Sequence, residues 1–284
     1  MIPRPAPPRP RSAEPGAIGR SFARATEAGR AALVPYLTAG YPNPDATVPL
    51  LRGLEGAGAD VLELGIPFSD PLADGPTIQR ASQRALEAGA DVAGAFAALA
   101  AYADGGACPV VLFSYLNPVL GYGLERFVRE AADAGAAGVL LTDLPLGADP
   151  EVERALLDGP LDLVRLVAPT TPPRRAAAIA AEAQGFLYLV SRTGVTGARA
   201  ELPADLEPRV SALRDVASVP VAVGFGISTP HQASAVARVA DGVVVGSAII
   251  DRIEAEGPDA AVALVAELRA ALDDAARQPK EVAS

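Results

Sequence analysis

"DVLELGIPFSDPLADGPTIQRASQRALEAG", residues 60–89, holds one complete strand–loop–helix unit. Leu62, Leu64 and Ile66 alternate with Glu63 and Gly65 in a short apolar run, the pattern of a buried strand. Asp70 and Asp74 follow in a loop stiffened by Pro67, Pro71, Gly75 and Pro76. A helical stretch then starts at Thr77 and ends at Gly89, a residue suited to the left-handed backbone just past a last turn. The unit poses a question, because a carboxylate, Glu63, stands in the middle of the strand.

Working outward, the same unit recurs along the chain after residue 30. Eight runs read as strands: "ALVPYLTAG", "DVLELGIP", "PVVLFSYL", "GVLLTDLP", "LDLVRLVAP", "FLYLVSRTG", "VPVAVGFGIS" and "DGVVVGS". Each is apolar enough to be buried on both faces, and each ends at Gly, Pro, Asp or Ser. Ala- and Leu-rich helical stretches separate them, including one over residues 91–106, and "PDAAVALVAELRAALDDAARQ" closes the series. Strict alternation implies a parallel sheet with right-handed crossovers. Eight units fit a closed (β/α)8 TIM barrel with extra helices, a fold of typically ~250 residues. The rival, an open doubly wound sheet, is weakened because no GxGxxG turn follows the first strand.

Composition narrows the chemistry. The 284 residues carry a net charge of −10, with one histidine, His231, and one cysteine, Cys108. An intrachain disulfide, a Cys-built metal site and multi-His zinc sites are thereby disfavoured. The acidic balance is not that of a nucleic-acid binder. Carboxylates, hydroxyls, tyrosines and backbone groups are left to do the work. Residues 1–30 hold six Arg and two Glu, a local +4, which leaves −14 for the rest. The opening "MIPRPAPPRPRSAEP" has six prolines and no apolar core, so it is not a secretory signal. Residues 1–18 read as a disordered leader and 19–279 as the barrel, with a cytoplasmic location expected.

In a barrel, function lies at the C-terminal ends of the strands. Those ends are polar: Glu63, Asp70 and Asp74 at the second, Ser114, Tyr115 and Asn117 at the third, Thr142 and Asp143 at the fourth. The sixth offers Tyr188, Ser191, Arg192 and Thr193, the seventh Gly224 to Gly226 and Ser228, the eighth Gly246 and Ser247. The turns "GFGIS" and "VVVGSAII" lie in sequence, and the second runs into a helical piece whose N-terminal N–H groups suit a phosphate. Strand alternation puts Val61, Glu63 and Gly65 toward the barrel axis. There an unpaired carboxyl group is costly to ionise and its pKa rises, which suits acid–base work near neutral pH. A structural Glu bonded to a neighbouring strand fits the residues equally well. Asp74 reads as functional and Asp70 as a turn brace, although spacing hardly separates them. "SRTGVTGARAE", residues 191–201, reads as a lid or as a plain surface loop.

The segments "VPYLTAGYP", "ADVLELGIPFSDPLADGPTIQRAS", "LLTDLP", "YLVSRTGVTGA", "GFGIS" and "VVGSAII", in this order from about residue 30 to about 270, resemble the tryptophan synthase α subunit family. The resemblance implies cleavage of indole-3-glycerol phosphate into indole and glyceraldehyde 3-phosphate. It implies catalytic roles for Glu63 and Asp74, and a phosphate site around Gly197, Gly226, Gly246 and Ser247. It further implies an indole pocket of Tyr36, Phe113, Leu140, Tyr188 and Phe225, and a lid contact from Thr196. No metal and no cofactor in this chain are implied. The partner would be a pyridoxal-phosphate-dependent β subunit in an α2β2 assembly. A stand-alone lyase, a noncatalytic regulator and, disfavoured by the specificity of residues 62–79, another phosphate-sugar barrel enzyme are the rival readings.

Overall fold

Short Val- and Leu-rich runs, buried on both faces, form the framework that the alternation predicts. The computed structural model describes residues 15–191, 203, 205–224 and 226–277. The strands are β1 (Ala32–Thr38), β2 (Leu62–Gly65), β3 (Val110–Ser114), β4 (Ala136–Leu141), β5 (Asp162–Val167), β6 (Leu187–Val190), β7 (Val221–Gly224) and β8 (Gly242–Val245). They are parallel, follow one another in sequence order and close into a barrel through β1 and β8, where Val34 pairs with Val244.

The helices are α1 (Ala17–Glu27), α2 (Thr47–Gly56), α3 (Pro76–Glu87), α4 (Val92–Ala103), α5 (Leu116–Tyr122) and α6 (Leu124–Asp133). The series continues with α7 (Pro150–Leu157), α8 (Pro173–Ala181), α9 (Leu206–Arg214), α10 (Pro230–Ala237), α11 (Ser247–Glu256) and α12 (Pro258–Arg277). No single helix among the described residues is long and apolar enough to cross a membrane.

Two apolar layers follow from strand alternation. One fills the barrel with Ala32, Val34, Val61, Val111, Leu140, Val164, Ala222 and Val244. The other lies between strands and helices and includes Leu33, Leu37, Leu62, Leu64 and Leu112. The sequence reading ends the leader at residue 18, but α1 starts at Ala17, and its Ile18, Phe22 and Ala25 are buried in the inner cluster. This i, i+4, i+7 stripe closes the floor at the N-terminal ends of the strands. Phe22 packs against Phe186 with ring centroids 5.5 Å apart, and a Cβ on Gly242 would come within 2.7 Å of the Phe22 ring. Burial of Ile18 and Phe22 stabilises the floor by about 2–3 kcal/mol each.

The same pole carries an ionic knot. Asp60 accepts two hydrogen bonds from Arg30 (2.6 and 2.8 Å), one from Arg269 of α12 (3.1 Å) and one from the Leu33 N–H (2.9 Å). Arg269 also pairs with Asp273 at 2.8 Å. The knot joins the entry to β1, the entry to β2 and the last helix. With the floor closed in this way, the C-terminal mouth is left for ligands.

Candidate active site

The site grows from register. Tyr36 stands opposite Glu63, Glu63 opposite Val111, Gly65 opposite Phe113, and Phe113 opposite Leu140. These side chains share the inner face near the mouth. Tyr36 and Phe113 meet edge to face at 5.5 Å. Two glycines make the wall possible. A Cβ on Gly65 would lie 2.1 Å from the Tyr36 hydroxyl, and one on Gly224 would lie 2.2 Å from the Tyr188 hydroxyl. Each tyrosine therefore lies across a position that only glycine leaves free.

Glu63 faces the axis, as alternation requires, and is 1% exposed. Its Oε1 has no hydrogen-bond partner among the described residues, which argues against a structural glutamate braced on a neighbouring strand. Burial pushes its pKa up to about 8, because the charged form loses its hydration.

Asp74 comes from the loop between β2 and α3 and is 6% exposed. Burial raises its pKa to about 6, while a hydrogen bond from the Tyr115 hydroxyl at 3.0 Å acts in the opposite direction. The loop folds on itself: Leu72 N–H bonds to Asp70, Asp74 N–H bonds to Pro71, and the Gln79 amide donates to the Asp74 carbonyl at 2.9 Å. Asp70 is exposed and takes the Ser69 hydroxyl at 2.5 Å. The structure thus separates the two aspartates, which spacing left nearly equal. Tyr36 and Tyr188 are buried and feel the charges of both Glu63 and Asp74, which with burial hold their hydroxyls protonated.

At the rim, Gly246 precedes α11 and Ser247 opens it. Ile249 and Ile250 bond back to the Gly246 carbonyl, so the first N–H groups of α11 point out of the helix end. Gly226 is exposed in the β7 turn with φ +79°, a left-handed conformation that favours glycine. Behind it Thr229 and Gln232 form a reciprocal cap on α10. Gly197, Thr196 and Phe225 lie outside the described residues. His231 is exposed, and the Cys108 thiol is half-buried, donating to the Ala59 carbonyl. A separate cavity of about 710 Å³ among α9, α10 and α12 shares no residue with this mouth. Among the described residues no group of three or more His, Cys, Asp or Glu could hold a metal ion.

Tyr115 is the member that sequence reasoning noted at a strand end and did not select. Its contacts come from a loop about forty residues away, a distance that no local pattern reports.

A closed barrel with two buried, differently tuned carboxyl groups at its C-terminal mouth is the architecture of a (β/α)8-barrel enzyme. The family model described as tryptophan synthase alpha chain matches residues 22–277, and the chain belongs to that family. The tryptophan synthase alpha chain of Chloroflexus aurantiacus is 49% identical over 260 residues, covering 90% of this chain and 98% of that protein. A Mycobacterium tuberculosis tryptophan synthase structure superposes with a TM-score of 0.84 at 39% identity, covering 92% of this chain and 99% of that one. The alpha subunit from Legionella pneumophila gives 0.83 at 36% identity, with 92% and 100% covered. The chain is a carbon–carbon lyase that cleaves indole-3-glycerol phosphate, and proteins of its family work with a β subunit.

Proposed function

We propose that Glu63 and Asp74 carry out the retro-aldol cleavage between them, with Glu63 entering the cycle as the acid. The observation that carries this reading is the pair of pKa values, about 8 for Glu63 and about 6 for Asp74. Near pH 7 the first group holds a proton and the second does not.

Asp74 carboxylate accepts the indole N–H bond and offsets the positive charge that grows in the ring. Glu63 gives its proton to ring C3, forming an indoleninium cation. The Glu63 carboxylate so formed is poorly solvated and strongly basic. It removes the proton from the adjacent glycerol hydroxyl. The O–H electrons form the aldehyde C=O, and the C–C bond electrons return to the ring. Indole and glyceraldehyde 3-phosphate result, and Glu63 is protonated again.

The phosphate end is anchored by Gly197, Gly226, Gly246 and Ser247, the last two at the N-terminus of α11. The indole ring is walled by Tyr36, Phe113, Leu140, Tyr188 and Phe225, and Thr196 is the lid contact of this reading. Fixing both ends places the scissile bond between the two carboxyl groups. The partner is a β subunit, in an α2β2 assembly, and pyridoxal phosphate belongs to that subunit.

The test is indole release from indole-3-glycerol phosphate by wild type, Glu63→Gln and Asp74→Asn, each with and without the β subunit. Loss of at least about 100-fold in both variants, in either setting, is the expected result. Near-normal rates in either variant would remove that residue from the mechanism.

A further inference from the structure

We infer that Tyr115 is a positioning residue that holds the Asp74 carboxylate, through its hydroxyl, in the place and charge state the reaction needs. The inference rests on the role proposed for Asp74.

Tyr115 follows β3 and occupies the N-cap position of α5, so its backbone is set between two regular elements of the barrel. It is 4% exposed. Its hydroxyl makes two bonds to the same loop: it donates to Asp74 Oδ2 at 3.0 Å and accepts from the Ala73 N–H at 3.0 Å. The phenol ring packs on Phe68, at the other end of that loop, with centroids 5.3 Å apart. One side chain thus clasps the loop at its start and at its working end.

The direction of the proton matters. A neutral phenol can donate to Asp74 and accept from Ala73 at once, and a phenolate could only accept. Burial and the neighbouring Asp74 charge push the Tyr115 pKa well up, so the phenol stays neutral across the working range. A donor on Asp74 favours its carboxylate form and opposes the effect of burial. The other titratable groups that feel the Asp74 charge among the described residues are Tyr36 and Tyr188. Both are neutral phenols, and the side-chain hydrogen bond that Asp74 accepts comes from Tyr115.

Tyr115→Phe removes the hydroxyl and keeps the ring. The acid limb of the kcat profile should move upward by about one pH unit, the effect of losing one hydrogen bond to a charged group. At pH 8 kcat should fall about tenfold, with KM changed less than about threefold. Phe68→Leu disturbs the ring contact and spares the hydroxyl, so its acid limb should stay in place. The inference is overturned if Tyr115→Phe keeps the wild-type limb and kcat, or if Phe68→Leu moves the limb equally. Asp74→Asn, measured in parallel, separates the layers. If it is inactive while Tyr115→Phe is normal, only the positioning role fails. If Asp74→Asn is fully active, the reading beneath fails and this inference goes with it.

Discussion

Glu63 and Asp74 differ by about two units in pKa, although both are carboxyl groups from one strand and its loop. The cause is local. Glu63 has burial alone, and Asp74 has burial opposed by a donor. Activity should therefore rise as pH passes about 6, where Asp74 ionises, and fall as pH passes about 8, where Glu63 loses its proton. A pH profile of kcat checks this, and a single flat plateau from 5 to 9 would contradict it. The same shift has a stability sign. Unfolded, Glu63 ionises near its ordinary value, and folded it stays protonated to about 8, so it withdraws stability as pH climbs between the two. Glu63→Gln should lose activity yet unfold at a higher Tm than wild type, the gap widening from pH 5 to pH 8. Alternation was enough to aim Glu63 at the axis. Whether a partner awaited it there depended on side chains from other strands, which no run of residues near 63 encodes.

At the scale of elements, all eight strands were legible as short apolar runs, because both faces are buried and the code is simply continuous hydrophobicity. Helix α1 was not selected. Its Ile18, Phe22 and Ala25 stripe has helical spacing, but the Pro- and Arg-rich residues before it mark the region as a leader. Another relation was hidden because it joins elements far apart in sequence. Helix α3, which follows Asp74, is tied to α11, which opens at Ser247: Thr77 donates to Asp251 at 2.9 Å, and Arg80 and Arg84 reach Glu254 at 3.1 and 3.0 Å. Ile78 of α3 also lies against Gly246. These ion pairs are partly exposed, so their worth is small. Glu254→Gln should cost less than about 1 kcal/mol in a denaturant melt, and less still at 1 M salt. A loss of 3 kcal/mol would show that the tie is a structural keystone instead.

Across the whole molecule, the ionic knot and the two buried carboxyl groups proposed for catalysis occupy opposite poles. The floor holds α1, Asp60, Arg30 and Arg269, and the mouth holds Glu63 and Asp74. Asp60→Ala would leave two guanidinium groups facing each other with less compensation, and should cost about 3–5 kcal/mol. Urea unfolding measures this. Variants that still fold should keep an unchanged KM, since Asp60 is at the far end from the mouth and the site proposed there. A large KM change in a folded Asp60→Ala protein would mean that the poles are not separate.

The knot at the floor also brings chain positions together. Ala28, Gly29 and Arg30 line one small cavity with Asp273, Ala276 and Arg277, so the residues leading into β1 and the end of α12 are neighbours. From there α1 runs back across the floor for about 16 Å. A linker of that reach joining residue 277 to residue 15 would turn the described chain into a ring. New termini cut at the exposed Gly105 turn would give a circular permutant with the same barrel. Such a protein should still cleave its substrate, because the order in which the ribbon is threaded is arbitrary once the seam between its first and last turns is sewn.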